Sequence, residues 1–294
     1  MFGGYGADSN IFKFNGCALE QLEVTMPTQF YVAGAEVRTV VHADGSENAY
    51  ICFTNIGSDR HRKCDSFDGT TAVSQPYVSS AISRQESSMA NYKGGLLVFG
   101  GWSYNSDTRI ETRIRDAEVF TLGVGFSAAA PMIYGASQMS SLTIDTDRVI
   151  MFGGYLEEET GTEKIFMYYN DEWSFIGNMV VANWQTTAIM IGSSIIVSSG
   201  FYSGVIQQFE WDGSTISEGR IVDDVGDFNQ LISPIVIPEL FEECERPTNE
   251  FIFGATLIEP TGDYHFTALD FSLASLEYSE TTPDYFEGVI YDMD

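Results

Sequence analysis

A glycine doublet at the end of a hydrophobic run recurs along this chain at nearly constant spacing. The clearest copies read LLVFGGW at 96–102 and RVIMFGGY at 148–155, and the chain itself opens on MFGGY. Weaker copies read YICFTNI at 50–56, IIVSSGFY at 195–202 and FIFGATL at 251–257. The second position of the doublet is residue 4, 54, 101, 154, 200 and 255 in the six copies. A period of about 50 residues is typical of the blades of a β-propeller.

An aromatic strand ending in a turn follows each doublet after 11 to 16 residues. Clear examples are AEVFTLG at 117–123, IFMYYND at 165–171 and QQFEWDG at 207–213. Asn-Gly and Asp-Gly at such ends favour two-residue hairpin turns, in which both central residues need a positive φ. The doublet strand and the aromatic strand are therefore predicted to be followed by a tight turn and a short outer strand.

Pairs of hydroxyl residues mark one more strand upstream of three of the doublets. Ser88, Ser141 and Thr187 each lie twelve residues before the first doublet position. A strand at that offset leads by a short turn into the glycine-ended strand. Each unit is thus predicted to hold four antiparallel strands, and six units of about 49 residues fill the chain of 294 residues.

This unit resembles the kelch repeat, in which a hydrophobic run ends in Gly-Gly and an aromatic residue precedes a turn. The best copy spans 149–177, with Trp173 where kelch blades often carry a tryptophan. The resemblance implies an all-β, six-bladed kelch-type β-propeller of four-stranded antiparallel blades. The glycines would then allow neighbouring chain segments to approach where a side chain would clash.

The whole chain, residues 1–294, is predicted to form a single propeller domain, and its first blade lacks an inner strand at the N-terminus. The tail YFEGVIYDMD at 285–294 could supply that strand through residues 286–291. The alternative is a truncated gene model that starts at an internal methionine. The predicted blades cover approximately 1–26 plus 285–291, 35–79, 84–131, 136–181, 184–219 and 228–280.

The charge of the chain is strongly negative: 14 Lys and Arg oppose 42 Asp and Glu, for a net charge of −28. Such a surface repels nucleic acid and anionic membranes, so neither is an expected partner. Basic proteins or peptides and divalent cations remain as candidate partners, unless the acidic residues serve only to keep the protein in solution. The acidic segments 156–163 and 222–228 are candidates for weak calcium binding, although neither has the ligand spacing of an EF-hand loop.

The four cysteines suggest two disulfides. Cys52 and Cys64 lie on the second and third strands of blade two and should face each other across the hairpin. Cys17 and Cys244 fall in loops on the same face of the neighbouring blades one and six. Two disulfides would indicate an oxidising compartment, so a secreted location is favoured over the alternative of a cytoplasmic protein with free thiols.

No motif in the chain predicts catalysis. The sequence contains no Gly-X-Ser-X-Gly elbow, no phosphate loop and no His-Glu-X-X-His. Its three histidines fall on different strand types, and the cysteines lack the spacing of a zinc site. We therefore predict no enzyme activity, no catalytic residue, no cofactor and no metal centre.

Aromatic residues follow the doublets directly in four units and could form a collar around one mouth of the ring. An exposed aromatic collar in an acidic field suits a protein or peptide of basic character. The other interpretation is that these rings pack between blades. The predicted function is a non-catalytic, kelch-like interaction module; the alternatives are a structural component of an extracellular acidic assembly and a glycan-binding or enzymatic propeller. The collar candidates are Tyr5, Trp102, Tyr104, Tyr155, Phe201 and Tyr202.

Overall fold

A computed structural model describes most of the chain up to residue 224 and three shorter segments beyond it. The ranges are 8–14, 19–30, 37–42, 44–53, 62–77, 84–105, 108, 110–157, 160–198, 200, 203–224, 232–235, 252–258 and 264–267. Every extended element in these ranges is a β-strand, and every pairing is antiparallel. The prediction of an all-β protein is confirmed.

Two antiparallel sheets occupy the first part of the chain. The first has two strands, β1 (Asp8–Phe14) and β2 (Leu19–Phe30). The second, which we call blade two, has four strands in sequential order. Its strands are β3 (Val37–Val41), β4 (Glu47–Cys52), β5 (Cys64–Phe67) and β6 (Ala72–Ser74).

Blade three has the same four-stranded plan, with a hairpin inserted between its second and third strands. The chain runs through β7 (Ser88–Tyr92) and β8 (Gly95–Phe99), and then through the inserted strands β9 (Trp102–Asn105) and β10 (Ile110–Arg113). It returns to the blade with β11 (Ala117–Thr121) and β12 (Gly125–Ala129).

Blades four and five complete the set of four-stranded sheets. Blade four contains β14 (Ser140–Thr143), β15 (Val149–Phe152), β17 (Thr162–Tyr169) and β18 (Glu172–Asn183). The short strands β13 (Ala136–Ser137) and β16 (Tyr155–Leu156) pair with each other beside it. Blade five contains β19 (Ala188–Ile191), β20 (Ser194–Val197), β21 (Val205–Glu210) and β22 (Arg220–Asp224).

The described residues contain four complete four-stranded blades, not the predicted six. Among the described residues, the segment predicted as blade six contributes a three-stranded sheet, and the segment predicted as blade one contributes the β1–β2 pair. The tail at 285–294, expected to close blade one, lies outside the described residues. The strands of the three-stranded sheet are β23 (Ile232–Ile235), β24 (Ile252–Ile258) and β25 (Tyr264–Thr267).

The hydrophobic core lies between neighbouring blades. Tyr50 of blade two packs in one cluster with Phe120 of blade three, with ring centroids 5.6 Å apart. Phe99 of blade three meets Trp173 of blade four at 5.0 Å, and the Trp173 indole also donates a hydrogen bond to Ala130 O. A third cluster joins blades four and five. Sheets that bury both faces against the next sheet are the basis of a propeller-like arrangement.

The glycine doublet is required both by backbone conformation and by space. Gly153 has a φ of 61°, and an added Cβ would lie 2.3 Å from the carbonyl oxygen of Asn183. In blade two the equivalent residue is Phe53, with a φ of 58°. Its N–H bonds to Lys63 O as that of Gly153 bonds to Lys164 O. Phe53 therefore holds a left-handed conformation that costs a non-glycine residue about 1–3 kcal/mol.

The Asp-Gly turns depart from the expected pattern of two positive φ values. At Asp68-Gly69 and Asp212-Gly213 only the glycine has a positive φ. The Asp68 carboxylate instead accepts hydrogen bonds from the backbone N–H groups of Thr70 and Thr71, at 2.8 and 2.7 Å. These bonds hold the pKa of Asp68 below its usual value, and similar bonds act at Asp212. The aspartate stabilises the turn by capping it.

Candidate functional site

Two kinds of connection meet at one end of each blade, which we call the upper mouth. One kind links the second strand to the third, and the other links the outer strand of one blade to the inner strand of the next. Because successive strands are antiparallel, the turns from first to second and from third to fourth strand lie at the opposite end, the lower mouth. The residues after both glycine doublets in blades three and four therefore lie at the upper mouth.

Three residues with left-handed backbone stand at the upper mouth, just before the inner strands of blades three, four and five. Glu86, Gln138 and Gln185 have φ values of 52°, 57° and 55°. Gln138 N donates to Glu86 O at 2.9 Å, and Gln185 N donates to Gln138 O at 2.9 Å. These bonds join successive blades in a chain along the mouth. Non-glycine residues in this conformation are strained and concentrate at functional sites.

Planar side chains stack along the seam between blades three and four. The Arg113 guanidinium lies 5.9 Å from the ring centre of Trp102 and 4.9 Å from that of Tyr155. Tyr155 in turn contacts Trp184, with ring centroids 4.9 Å apart. We call these four residues the aromatic strip. The β9–β10 hairpin sets part of the stack because Trp102 and Arg113 are partners in its register.

A carboxylate is held beneath this strip. Glu86 Oε2 accepts one hydrogen bond from Trp102 Nε1 at 2.8 Å and another from Gln138 Nε2 at 2.7 Å. Trp102 is fixed next to it, since its backbone exchanges two hydrogen bonds with Gln85. Burial raises the pKa of the Glu86 carboxyl, and the hydrogen bonds from Trp102 and Gln138 and the charge of Arg113 offset part of that rise.

Negative charge exceeds positive charge at the strip. Arg113 Nη1 lies 3.5 Å from Glu111 Oε2, and only 9% of the Arg113 side chain is exposed. Glu157 Oε2 accepts a hydrogen bond from the Arg113 backbone N–H at 2.8 Å. With Glu86, three carboxyl groups thus lie near the single cationic residue Arg113, and the local field favours cations.

An exposed tyrosine extends the strip toward solvent. Tyr104 stands opposite Glu111 in the β9–β10 hairpin and is 51% exposed. It is two residues from Trp102, so both side chains point to the same face of the hairpin. Ile110, at the start of β10, is 57% exposed. The hairpin therefore presents Tyr104 beside the carboxylate of Glu111 on one face, and Ile110 lies on the opposite face.

The predicted collar is described at three of its six positions. Trp102 and Tyr155 are partly buried and belong to one stack, whereas Tyr104 is exposed. Tyr5, Phe201 and Tyr202 lie outside the described residues. At the described positions two rings pack at the blade seam and a third faces solvent, and the collar as a binding site stays a prediction.

Sequence reasoning missed Glu86, Gln138 and Arg113. A signal for the first two exists, since a Glu or Gln comes two or three residues before the second hydroxyl residue of each pair at Ser88, Ser141 and Thr187. No periodic signal exists for Arg113, because it lies in the hairpin inserted into blade three.

The predicted pairing of Cys52 with Cys64 is confirmed. The two residues are direct partners in the β4–β5 register, and they form a disulfide with a Cα–Cα distance of 4.0 Å. Both side chains are buried between blades two and three. The second predicted pair, Cys17 and Cys244, lies outside the described residues.

The hydroxyl pairs join inner strands to one another. Ser141 Oγ donates to Met89 O of the neighbouring blade at 2.8 Å. Arg38 of blade two reaches past blade three and donates to Ser141 O and Oγ at 3.3 and 3.2 Å. The hydroxyl of Ser141 is therefore engaged in links between the blades.

Metal binding finds no support in the described ranges, where no three His, Cys, Asp or Glu side chains come together as a possible metal site. The acidic segments 156–163 and 222–228 are described only in part, so calcium binding there stays a prediction. Across the same ranges, no helix is long and apolar enough to span a membrane.

Comparisons with known proteins bear on the fold. No family model matches the chain, and no curated protein matches it. A solved structure titled "Structure of YjhT" is similar with a TM-score of 0.56 at 10% sequence identity, over 84% of this chain and 88% of that chain. At that identity the likeness concerns the fold alone. With the four blades and the cores between them, it shows an all-β protein with a propeller-like arrangement of antiparallel sheets.

Proposed function

We propose that this protein is a six-bladed, kelch-type propeller that acts as a non-catalytic interaction module. It binds a peptide or an extended segment of a protein through the upper mouth. The kelch assignment rests on the glycine doublet and the aromatic strand that follows it, and the count of six rests on the period of about 50 residues.

The observation that carries the binding role is the exposed β9–β10 hairpin beside the aromatic strip. Exposed tyrosines flanked by partly buried aromatic and arginine side chains are typical of the centres of protein interfaces. Tyr104 is 51% exposed although Trp102, on the same hairpin face, is packed. A peptide laid along this face would cover Tyr104 and reach Glu111 and Glu157.

A peptide fits this mouth better than a sugar does. Sugar rings bind on a free aromatic face, but Arg113 lies over Trp102, and Tyr155 contacts both Arg113 and Trp184. Among the described collar residues, Tyr104 is the one whose exposed ring a ligand could contact. Its neighbour across the hairpin is the carboxylate of Glu111.

Selection from a display library of random peptides tests this proposal. Wild-type protein should enrich a family of related peptides, and Tyr104→Ala should weaken their binding at least about tenfold, as for an interface hot spot. Isothermal titration calorimetry with synthetic copies of the enriched peptides measures the change.

Tyr169→Ala is the matched control. Tyr169 is 40% exposed and lies next to a lower-mouth turn, so the same substitution there should leave binding unchanged. The proposal is wrong if no peptide is enriched, or if Tyr169→Ala weakens binding while Tyr104→Ala does not.

The confirmed disulfide supports an oxidising compartment for this module. A buried Cys52–Cys64 bond is expected in secreted proteins and is rare in the cytosol. The same observation supports the second candidate function, a structural part of an extracellular acidic assembly. In that role the peptide-library selection would return no specific binder.

A further inference from the structure

We infer that the Glu86 carboxylate is the recognition site for an arginine side chain of the bound peptide. This inference rests on the proposed function, because it assigns the chemistry of the partner at the same upper mouth. It adds a residue that determines specificity, and it explains why a carboxylate is kept under the aromatic strip.

The hydrogen bonds of Glu86 leave one oxygen open. Trp102 and Gln138 both donate to Oε2. Oε1 accepts no hydrogen bond from the described residues. Because these two donors are neutral, neither of them balances the charge of the carboxylate when it is ionised. A guanidinium from a ligand would supply the charge-assisted hydrogen bond that Oε1 lacks.

Arg113 does not fill this role. Its guanidinium is stacked between two rings and forms its ion pair with Glu111. Glu86 has no ion pair with a described residue, although Arg113 influences it through space. A desolvated carboxylate without an ion-pair partner is costly, and such groups concentrate at functional sites.

Arginine suits the site better than lysine. Glu86 is hydrogen-bonded to Trp102 of the aromatic strip, and a guanidinium is planar, weakly hydrated and able to stack on an aromatic ring while it bonds a carboxylate. Glu111 and Glu157 add negative charge at the rim, which would speed the approach of a basic peptide.

The alternative role for Glu86 is structural, as an acceptor that fixes Trp102. Glu86→Gln separates the two roles, because glutamine keeps an acceptor oxygen for Trp102 and Gln138 but loses the charge. Burial raises the pKa of Glu86, so the folded protein holds the proton of this carboxyl more tightly than the unfolded chain does. Its contribution to stability is therefore present at low pH and is lost as pH rises through that raised pKa. At neutral pH, E86Q should melt at a higher temperature than wild type.

Titration with a blocked Gly-Arg-Gly peptide tests the inference directly. A blocked Gly-citrulline-Gly peptide is the matched neutral probe, since citrulline keeps the shape of arginine without its charge. Tryptophan fluorescence and calorimetry at pH 7 should show wild type binding the arginine peptide at least about tenfold more tightly than the citrulline peptide. E86Q should lose this preference, and the control E172Q, an exposed lower-mouth carboxylate, should keep it.

The pH dependence of the preference for the arginine peptide is a second measurement. A purely structural role of Glu86 would not produce such a dependence. The preference for arginine should fall as pH is lowered through the raised pKa of Glu86, because protonation removes the charge. The charged groups near this carboxyl are Arg113 and Glu111. In E86Q the affinity for either probe should be independent of pH near that value.

The inference is overturned if wild type binds both probes equally, or if E86Q retains the arginine preference. It is also overturned if E86Q lowers the melting temperature and the affinity for both probes together, which would indicate a structural role. Library peptides that bind through Tyr104 without arginine, and equally well to E86Q, would leave the proposed function standing and remove this inference alone.

Discussion

Replacing the first glycine of a doublet should show how much the blade depends on close approach between chain segments. Gly153→Ala places a Cβ 2.3 Å from Asn183 O and 2.8 Å from Met179 Cε, at a φ of +61°. The left-handed backbone costs alanine about 1 kcal/mol relative to glycine. Displacing a backbone carbonyl in a packed region costs about 1–3 kcal/mol more. The total expected loss is about 2–4 kcal/mol of unfolding free energy.

Gly192→Ala is a matched control for this substitution. Gly192 lies in the turn between β19 and β20 with the same φ of +61°, but nothing lies within 4 Å of its added Cβ. It should lose about 1 kcal/mol, from the backbone alone. Urea unfolding followed by tryptophan fluorescence gives both values from the shift in midpoint. Equal losses in the two variants would refute the argument that the doublet is needed for close approach.

Three further substitutions test other parts of the fold. Phe53→Gly should be more stable than Phe53→Ala by about 1 kcal/mol, because both lose the ring and only glycine relieves the positive φ; chemical unfolding of the two variants compares them. Replacing Cys52 and Cys64 together by alanine should cost about 3 kcal/mol for a loop with a sequence separation of 12, and reductant should then lower the melting temperature less than it does in wild type. Arg84→Met should cost about 3–5 kcal/mol, since it removes the buried ion pair between Arg84 and Glu118 at 3.0 Å, and adding Glu118→Gln should recover part of that loss in a double-mutant cycle.

The repeat could be predicted from the sequence because it depends on short-range constraints. The doublet at Gly153 marks a place where only glycine fits, and the alternation of strands around it follows from turn residues. The Cys52–Cys64 pair followed from counting along a hairpin. Each of these features is local in the chain, so spacing alone is sufficient to identify it.

Phe53 is a position that local sequence patterns do not predict correctly. It occupies the doublet position without being glycine, and the adjacent segment of the same blade holds its backbone through the bond to Lys63 and the buried disulfide. Tertiary packing there overrides local preference. A sequence pattern built on glycine does not detect a residue of another type that adopts the same left-handed backbone conformation.

The candidate site was predictable only in part. Trp102, Tyr104 and Tyr155 were singled out because they follow the doublets. Glu86 and Arg113 were missed because their roles depend on contacts between blades and on an inserted hairpin. Gln138, 52 residues from Glu86, donates to it across the seam. Contacts between residues so far apart in the sequence can be identified only from the three-dimensional arrangement of the blades.

Hydrogen–deuterium exchange with an enriched library peptide tests the central claim most directly, that a partner binds at the upper mouth. We expect slower exchange in residues 102–105, 110–113 and 153–157, where the hairpin strands and the second doublet border the aromatic strip. The lower-mouth turns around Asp68 and Asp171 should be unchanged. Slower exchange at those turns, with no change in the hairpin, would contradict the account and place the partner at the opposite end of the propeller.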